Sequence, residues 1–415
     1  MHPSRPLRRL CVVLATLAGL AVAQAAPVRA TVTDGDRGSG PPPTTPYVAA
    51  TTNGVKWSDV PKKHWARKAI DYVGATNDWM LDSTQAADGT YAFNPDALES
   101  RKLFARTLVR AFAPTTSVDP SIEFKDLPAD DRFYDDANIV VQLGWMQVDG
   151  DGNFLPDDPV TTRMVHRALV LALGLGDVAA NLDGLHTHSG YEFQTPKDFG
   201  TLLLGMRLGL RYNHADESLD VGPDSPLPRA EVAWSVYRAK TEESWTTDSL
   251  RSLYLTMELP NLGKAAKDIV QFGIDYVGYP YVWGGEWYQP TPDGYCCGAQ
   301  PVGGFDCSGI TWFVTKAASG TWNPTPPRPY RGWWLPQRSS AEMAGSGERV
   351  RFKSLEPGDL MFYDGDGNGV VDHVDVYIGN GFSLDSSSSY AGVSIVYTAE
   401  GWYRDHFVHG RRIIR

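Results

Sequence analysis

The chain has 415 residues, a formal net charge of -11 at neutral pH, and an ordinary globular composition with 21% charged and 11% aromatic residues. At roughly 150 residues per domain, this length predicts two or three domains. The acidic balance argues against nucleic acid or an anionic membrane as the main partner, because both repel a negatively charged surface.

The first 25 residues have the pattern of a secretory signal peptide. Three arginines (Arg5, Arg8 and Arg9) precede a short apolar run over residues 10–22, and small residues follow it. The run is too short for a comfortable membrane span, and no later stretch holds eighteen consecutive apolar residues. We therefore predict a secreted protein, extracellular or associated with the cell wall, with no membrane contact after signal removal. Residues 26–53 are rich in Pro, Thr and Gly and predict a solvated linker.

Residues 54–240 contain an internal repeat. The sequence Trp-Ser-Asp-Val-Pro at 57–61 returns as Phe-Lys-Asp-Leu-Pro at 124–128 and, more faintly, as Phe-Gln-Thr-Pro at 193–196. Each unit then carries a helical pattern, a turn, a Pro-Asp pair and a second helical pattern. Because a helix pair cannot bury its own apolar faces, we predict one mainly helical domain built from three units, over residues 54–115, 121–177 and 185–240.

These repeats resemble the S-layer homology family, whose units open with aromatic-x-Asp-Val-Pro and carry a Thr-Arg-Ala-Glu motif. The first opening matches well, and Arg-Ala-Glu at 229–231 keeps most of the second motif. The resemblance implies attachment to a secondary cell-wall polysaccharide through the arginine of the motif. That arginine is Arg101 in the first unit and Arg229 in the third, whereas Thr162 takes its place in the second. A helical spacer without a ligand is the alternative, and the sequence favours neither.

A polar and then apolar stretch over residues 241–262 predicts a connector, and a second domain follows over residues 263–415. Three cysteines remain after the signal, and an odd number in an exported chain indicates a free thiol or an intermolecular bridge. A bridge between the adjacent Cys296 and Cys297 is strained. We therefore expect Cys307 to be free, and the other two to be structural or a strained pair.

Cys307 is the best candidate for a reactive residue. It follows a Gly-rich turn and directly precedes an apolar run over residues 308–314 that predicts a helix. The amides and the dipole of a helix N-terminus stabilise a thiolate. A small buried structural cysteine is the alternative interpretation.

A nucleophilic thiol needs a base, and imidazole is the side chain poised near neutral pH. His373 lies on a predicted strand over residues 372–379, and a Gly-Asn-Gly turn predicts a hairpin with residues 382–386. A two-residue turn would place Asp385 on the face away from His373. A three-residue turn would pair Asp385 with Asp375 on the same face as His373. We predict the second register, with Asp385 as the orienting group and Asp375 as its rival.

The C-terminal module closely resembles the NlpC-type cell-wall cysteine peptidases. The resemblance is carried by Gly-x-Pro-Tyr-x-Trp-Gly-Gly at 278–285, Phe-Asp-Cys-Ser-Gly at 305–309, Leu-Pro-x-Arg-Ser-Ser at 335–340, Pro-Gly-Asp-Leu at 357–360 and His-Val-x-Val-Tyr-Ile-Gly at 373–379. It implies an α+β, papain-like fold, with helices packed on an antiparallel sheet. It also implies hydrolysis of peptidoglycan stem peptides, usually at the bond from γ-D-glutamate to the diamino acid.

By this resemblance Cys307 is the nucleophile and His373 the base. Tyr281 would position or stabilise the reacting carbonyl, Asp306 would hold a substrate amine, and Ser308 lies with them at the substrate or oxyanion site. The third residue of the family is commonly His, whereas that place falls here on Asp385. A wall-binding protein with a weak or inactive cysteine module is one alternative, and an acyl transferase that uses the same site is another. An insertion over residues 286–302 lies beside the nucleophile, where it could reshape the specificity of the cleft.

No cofactor is required by this chemistry, but one stretch has the spacing of a calcium loop. Oxygen-bearing side chains recur at alternate positions around a glycine at the sixth, and Asp375 falls at the twelfth. The candidate ligands for a structural calcium are Asp364, Asp366, Asn368, Asp372 and Asp375. A plain acidic β-turn is the equal alternative.

Overall fold

The computed structural model describes residues 54–318 and 335–414. The predicted signal peptide (1–25) and the linker (26–53) lie outside the described residues. Within the described ranges, no helix combines the length and the apolar character that a bilayer crossing requires.

The three repeats fold as helix pairs. The helices are α1 (Arg67–Ile70, continued by a π-helical turn at Asp71–Thr76) and α2 (Arg101–Phe112) in the first repeat, α3 (Tyr134–Gln142) and α4 (Thr162–Ala172) in the second, and α6 (Phe199–Arg207) and α7 (Arg229–Thr241) in the third. A further helix, α5 (Gly176–Asp183), lies between the second and third pairs.

The recurring sequence signals have local structural causes. Ser100 and Thr161 cap the second helices of the first two repeats, because their side chains accept backbone N–H groups three residues on. The aspartate of the opening motif closes the first two repeats: Asp59 accepts the N–H groups of Phe93 and Asn94 at 2.9 and 2.6 Å. Asp126 makes the same pair of bonds in the second repeat.

The repeats close into a ring around a pseudo-threefold centre. The N–H of Glu99 donates to the carbonyl of Leu227, that of Leu227 to Val160, and that of Val160 back to Glu99, at 3.0, 2.9 and 2.9 Å. Each of these residues lies just before the second helix of its own repeat. These hydrogen bonds therefore join the three units at one centre.

The two arginines predicted to bind wall polymer are buried cross-links between repeats. Arg101 donates from Nε to the carbonyl of Phe154 at 2.6 Å, and Arg229 donates to Glu99 and Asp82 at 2.6 and 2.7 Å. Each arginine is only 5% exposed. Buried side chains offer a polymer almost no surface to contact. In this structure the two arginines therefore link the repeats to one another, in place of the predicted binding of wall polysaccharide.

The predicted connector is partly helical, because residues 241–262 include α8 (Ser244–Tyr254). Tyr254 of this helix is fully buried and donates its hydroxyl to the carbonyl of Ile395 in the C-terminal module at 2.8 Å. The connector is therefore packed between the two modules.

The C-terminal module is α+β, as predicted. The strands of its six-stranded antiparallel sheet are β5 (Glu348–Val350), β6 (Leu360–Tyr363), β7 (His373–Gly379), β8 (Phe382–Ser387), β9 (Gly392–Tyr397) and β10 (Phe407–Arg412). The helices are α9 (Lys264–Ile274), α10 (Cys307–Ala318), α11 (Ser340–Met343) and α12 (Gly401–Asp405). The strand order in the sheet is β5-β10-β6-β7-β8-β9, and α9 packs on α10, which packs against β7 and β8.

Two small ladders precede α10. The strands β1 (Glu286–Trp287) and β4 (Gly304–Phe305) pair with each other, and β2 (Thr291–Gly294) pairs with β3 (Gly298–Gln300). The β2–β3 hairpin lies in the insertion noted in the sequence. The strands β1 and β4 flank this hairpin, and β4 ends just before α10 begins.

The third repeat docks directly on the C-terminal module. Arg211 donates to the carbonyl of Gly278 at 2.7 Å, and Gln194 exchanges two hydrogen bonds with Gln271. The guanidinium of Arg207 lies 3.8 Å from the centre of the Tyr390 ring. Apolar residues of both modules belong to one continuous core. The site described next therefore lies in a module that the repeats hold in place.

Candidate active site

Cys307 is the first residue of α10, and Asp306 fixes that start. The Asp306 carboxylate accepts the N–H of Gly309 at 2.5 Å and that of Gly284 at 3.0 Å. A Cβ at Gly309 would lie 1.8 Å from the carbonyl oxygen of Gly285, so only glycine permits this close approach. Cys307 is the free cysteine of the described residues and is 8% exposed. The predicted placement of the thiol at a helix start is confirmed.

Asp306 and Ser308 belong to a hydrogen-bonded network around Arg338. Arg338, itself 5% exposed, donates to Asp306 and Ser308 at 3.2 and 2.8 Å and to Glu286 at 2.9 Å. The predicted role of Asp306 in holding a substrate amine, and that of Ser308 at the substrate or oxyanion site, stay predictions. Arg338 lies in a motif that the sequence singled out, but nothing local to it indicates these partners.

The register of the β7–β8 hairpin is the predicted one. Val376 lies opposite Leu384 and Tyr377 opposite Ser383, which places Asp375 beside Asp385 on the face of His373. The turn that produces this register differs from the three-residue turn that the sequence predicted. Gly379 pairs with Phe382 across a two-residue turn, and a bulge between Tyr377 and Gly379 shifts the pairing by one residue.

Both carboxylates reach the imidazole. Nε2 of His373 lies 3.0 Å from Oδ1 of Asp375 and 3.0 Å from Oδ1 of Asp385. Each remaining Oδ2 accepts a tyrosine hydroxyl, that of Tyr363 on Asp375 at 3.0 Å and that of Tyr403 on Asp385 at 2.9 Å. The sequence identified both carboxylates but neither tyrosine, because Tyr363 and Tyr403 come from other elements.

This cluster holds His373 in its charged form. Burial acts to lower the pKa of His373, but the charges of Asp385, Asp375 and Cys307 raise it well above its ordinary 6.5. Burial, together with the neighbouring Asp385, raises the pKa of Asp375 to about 7. Burial acts to raise the pKa of Asp385, but the charge of His373 and the hydrogen bonds from His373, Asp375 and Tyr403 together hold it below its ordinary value. Since Nε2 of His373 faces the two carboxylates, Nδ1 is the ring nitrogen that could exchange a proton with Sγ of Cys307.

Tyr281 lies beside the nucleophile. It is half-buried, its N–H donates to the carbonyl of Ala391 at 3.2 Å, and it bridges to Phe305, two residues before Cys307. Burial and then the charges of Cys307 and Asp306 raise the pKa of Tyr281 above its ordinary 10, so the hydroxyl keeps its proton as a donor. This geometry suits the predicted role of stabilising a reacting carbonyl, which stays a prediction.

Two tryptophans lie near the residues of the site. Trp283 is 73% exposed two residues after Tyr281, and the ring of Trp402 lies 6.2 Å from that of His373. Trp283 belongs to the motif quoted at 278–285 but was given no role, and Trp402 was not singled out from the sequence. Trp402 belongs to α12, far along the chain, and no local pattern places it against the base.

Cys296 and Cys297 form a disulfide bond, which is one of the two interpretations left open by the sequence. Their hairpin is anchored at Glu286, whose carboxylate accepts the N–H of Cys296 at 3.3 Å. A Cβ at Gly284 would lie 2.9 Å from Sγ of Cys297, so the bridge covers the segment that supports the start of α10. The insertion therefore lies beside the nucleophile.

The acidic loop between β6 and β7 is separate from this cluster. One carboxylate oxygen each from Asp364, Asp366 and Asp372 lies within 4.8 Å of the others. The inclusion of Asp375 in this set was wrong, because both of its oxygens face His373 and Tyr363. A calcium ion at the remaining residues stays a prediction.

A free thiol at the start of a helix, with a charged imidazole on an adjoining antiparallel sheet, defines a papain-like cysteine module. Residues 278–412 match the model of the NlpC/P60 family, and residues 123–161 match the S-layer homology domain. These matches confirm the predicted NlpC-type module and the predicted S-layer homology character of the repeats.

Three curated proteins illustrate the similarity. The bifunctional muramidase/DL-endopeptidase CwlT of Bacillus subtilis is 31% identical over 147 residues, which are 35% of this chain and 36% of that protein. The γ-D-glutamyl-L-lysine dipeptidyl-peptidase of the same organism is 30% identical over 35% of this chain and 40% of its own length. The peptidoglycan endopeptidase RipB of Mycobacterium tuberculosis is 34% identical over 32% of this chain and 48% of its own length. This chain therefore spans less than half the length of each.

Proposed function

We propose that this protein is an exported cysteine peptidase that hydrolyses peptidoglycan stem peptides. The observation that carries the proposal is the thiol of Cys307 at the start of α10, together with His373 held between two buried carboxylates. The names of the three similar proteins, each a peptidase, support a peptide substrate of this class.

The proposed reaction uses His373 as both the acceptor and the donor of a proton. His373 takes the thiol proton of Cys307, and the sulfur attacks the carbonyl carbon of the scissile amide. The charge that develops on the oxygen is stabilised by the Cys307 N–H and the Tyr281 hydroxyl. Imidazolium His373 gives its proton to the departing nitrogen as the C–N bond breaks, which leaves a thioester. Neutral His373 then takes a proton from water, whose oxygen attacks the thioester. The C–S bond breaks, and the acid product leaves.

The proposal also specifies which bond of the stem peptide is cleaved. We propose cleavage between D-glutamate, acylating through its γ-carboxyl, and the diamino acid. The printed name of one similar enzyme, a γ-D-glutamyl-L-lysine dipeptidyl-peptidase, supports this choice.

The test is a digestion of purified peptidoglycan followed by mass spectrometry of the soluble fragments. We expect the wild-type protein to release fragments cut after D-glutamate, and Cys307→Ala to release none. Fragments cut only elsewhere in the stem would contradict the proposed bond. Intact material after treatment with the wild type would contradict the proposed function.

We further propose that the repeats associate with a wall polysaccharide through an open groove, in place of the buried Arg101 and Arg229. The groove encloses about 590 Å³ and combines aromatic rings with cations. Trp65, Lys62 and Lys68 contribute to its lining, and the ring of Trp65 stacks on Tyr212 at 4.6 Å. Aromatic faces beside cations suit an acidic glycan.

Sedimentation with purified cell walls tests this role. We expect Cys307→Ala to co-sediment with walls that retain their polysaccharide and not with walls stripped of it. A double change of Lys62 and Lys68 to Ala should weaken the binding, whereas Lys353→Ala in the C-terminal module serves as the control. Equal binding to stripped walls would favour a spacer role for the repeats.

A further inference from the structure

One buried carboxylate beside the imidazole has no part in the proposed reaction. A base needs one group to orient it, and Asp385 supplies that group for His373. Asp375 is a second carboxylate at the same ring nitrogen, and its side chain is fully buried. A buried carboxylate costs free energy unless it is paired, so the additional one indicates a further role.

Three ligand atoms converge at this place. One ligand atom each from His373, Asp375 and Asp385 lies within 4.8 Å of the others, and Nε2 is 3.0 Å from each Oδ1. The single N–H of Nε2 cannot point at both oxygens at once. Within the described residues, neither Oδ1 receives a well-directed hydrogen bond, although both atoms are buried. Two buried acceptors are therefore aimed at one point beside the ring.

The spacing of these atoms suits a small divalent transition metal. Zinc binds imidazole nitrogen and carboxylate oxygen at about 2.0–2.2 Å, which sets tetrahedral ligands about 3.3 Å apart. The two Nε2–Oδ1 distances of 3.0 Å need to lengthen by only a few tenths of an ångström. A donor set that includes imidazole also favours zinc over calcium and magnesium, which prefer oxygen ligands.

The outer carboxylate oxygens are held by hydrogen bonds of the kind that orient metal ligands. The hydroxyl of Tyr363 donates to Oδ2 of Asp375 at 3.0 Å, and that of Tyr403 to Oδ2 of Asp385 at 2.9 Å. Charge favours a cation as well, because two carboxylates and one imidazolium leave a net negative charge, whereas two carboxylates, a neutral imidazole and a divalent cation sum to zero. The His373 side chain is 15% exposed, which gives an ion access from the cleft.

We propose that His373, Asp375 and Asp385 bind a divalent transition-metal ion of the zinc class, and that this ion reversibly inhibits the peptidase. The ion takes the place of the proton on Nε2, which passes to solvent. A neutral imidazole bound through Nε2 carries its hydrogen on Nδ1, so it cannot accept the proton of Cys307. The inhibition rests on the proposed peptidase function, whereas the metal site does not.

The test measures binding without activity, by calorimetric titration of the untagged Cys307→Ala protein with zinc chloride. This background removes the thiol, which binds zinc strongly by itself. Adding Asp375→Asn should weaken the binding at least about a hundredfold. Adding Tyr363→Phe should weaken it about tenfold to a hundredfold, the range for losing a group that holds a metal ligand. Asp366→Asn in the acidic loop is the matched control and should leave the affinity unchanged.

The melting temperature of each variant in chelator shows whether it is folded, and Tyr363→Phe keeps the test decisive if Asp375→Asn is not. Magnesium chloride, titrated in the same way, should bind far more weakly than zinc. In the wild type, kcat/KM should fall by half at the zinc concentration that equals the measured Kd, and a chelator should restore it.

The absence of zinc binding, or equal affinity with and without Asp375→Asn, would overturn the inference. Loss of binding in Cys307→Ala relative to the wild type would also overturn it, because the sulfur would then be a ligand. Zinc bound at this site with full peptidase activity would overturn the proposed inhibition. A protein that binds zinc as expected but cleaves no peptidoglycan would overturn the proposed function and leave the metal site intact.

Discussion

At the scale of single residues, Asp385 is the charged partner of His373, because its pKa is lowered whereas that of Asp375 is raised to about 7. Asp385→Asn removes the charge that holds the imidazolium. We expect a loss in kcat/KM on the order of a hundredfold to ten-thousandfold. Asp375→Asn resembles the protonated native side chain and should cost less than about tenfold near pH 6. Equal losses in the two variants would contradict the role of Asp385 as the orienting group.

Asp375 also links stability to pH. Its pKa is about 7 in the native state against an ordinary 3.8, so the native state binds more protons than the unfolded state between these values. The free energy of unfolding contributed by this group therefore falls as pH rises through that range. Asp375→Asn should gain stability relative to the wild type from pH 4 to pH 7, by at most about 1.4 kcal/mol per pH unit. Urea titrations at several pH values measure this, and a constant difference would contradict it.

At the scale of elements, the acidic loop over residues 364–372 can be tested for calcium binding. Without an ion, the Asp364 carboxylate accepts the N–H groups of Asn368 and Gly369 at 3.1 and 2.8 Å, so the loop is already ordered. If calcium binds, it should raise the melting temperature by a few degrees, because a ligand that binds only the native state stabilises it. Asp366→Asn should abolish the shift. The same melting temperature in calcium and in chelator would show that the loop is a plain turn.

The ring of repeats depends on its buried arginines. Arg229→Ala leaves Glu99 fully buried without its partner, which should lower the free energy of unfolding by about 3–5 kcal/mol. Arg163→Ala is the matched control in the second repeat, because its partner Asp224 is 70% exposed and the expected loss is about 1 kcal/mol. Chemical denaturation of both variants measures the difference. Similar losses would contradict the assignment of Arg229 as a buried cross-link.

Local patterns predicted most of the elements. The helical patterns of the repeats predicted their helix pairs, the Gly-Asn-Gly turn predicted the hairpin, and the alternation in β7 placed His373 and Asp375 on one face. The register was correct although a bulge, not a longer turn, produces it, since both arrangements shift the pairing by one residue. The helix α8 was missed because the connector is too polar to show a clear apolar stripe.

The site was predicted only where its residues share a local pattern. Cys307 and His373 each stand in a recognisable motif, whereas Tyr363, Tyr403 and Arg338 reach their partners from separate elements. The contact between Arg338 and Asp306 was not predicted, because the sequence alone does not show it. Contacts between distant elements are set by packing, and a single sequence does not show them.

At the scale of the whole molecule, the repeats form part of the active-site environment. Met206 and Leu202 of α6 lie against glycines of the C-terminal module: a Cβ at Gly392 or Gly278 would approach them to 3.1 and 2.5 Å. Tyr254 of α8 is buried against β9. The repeats and the C-terminal module are thus held in a fixed relation to each other. Under the two proposed functions, this relation would present the catalytic residues to the polymer that the repeats bind.

The central claim is that the Cys307 sulfur is activated by His373, and the rate of its alkylation by iodoacetamide tests this most directly. Peptide mass spectrometry near pH 6 should show rapid modification of Cys307 in the wild type, with Cys296 and Cys297 unmodified. His373→Ala should slow the reaction at Cys307 at least about tenfold. An unreactive Cys307, or the same rate in His373→Ala, would contradict the account.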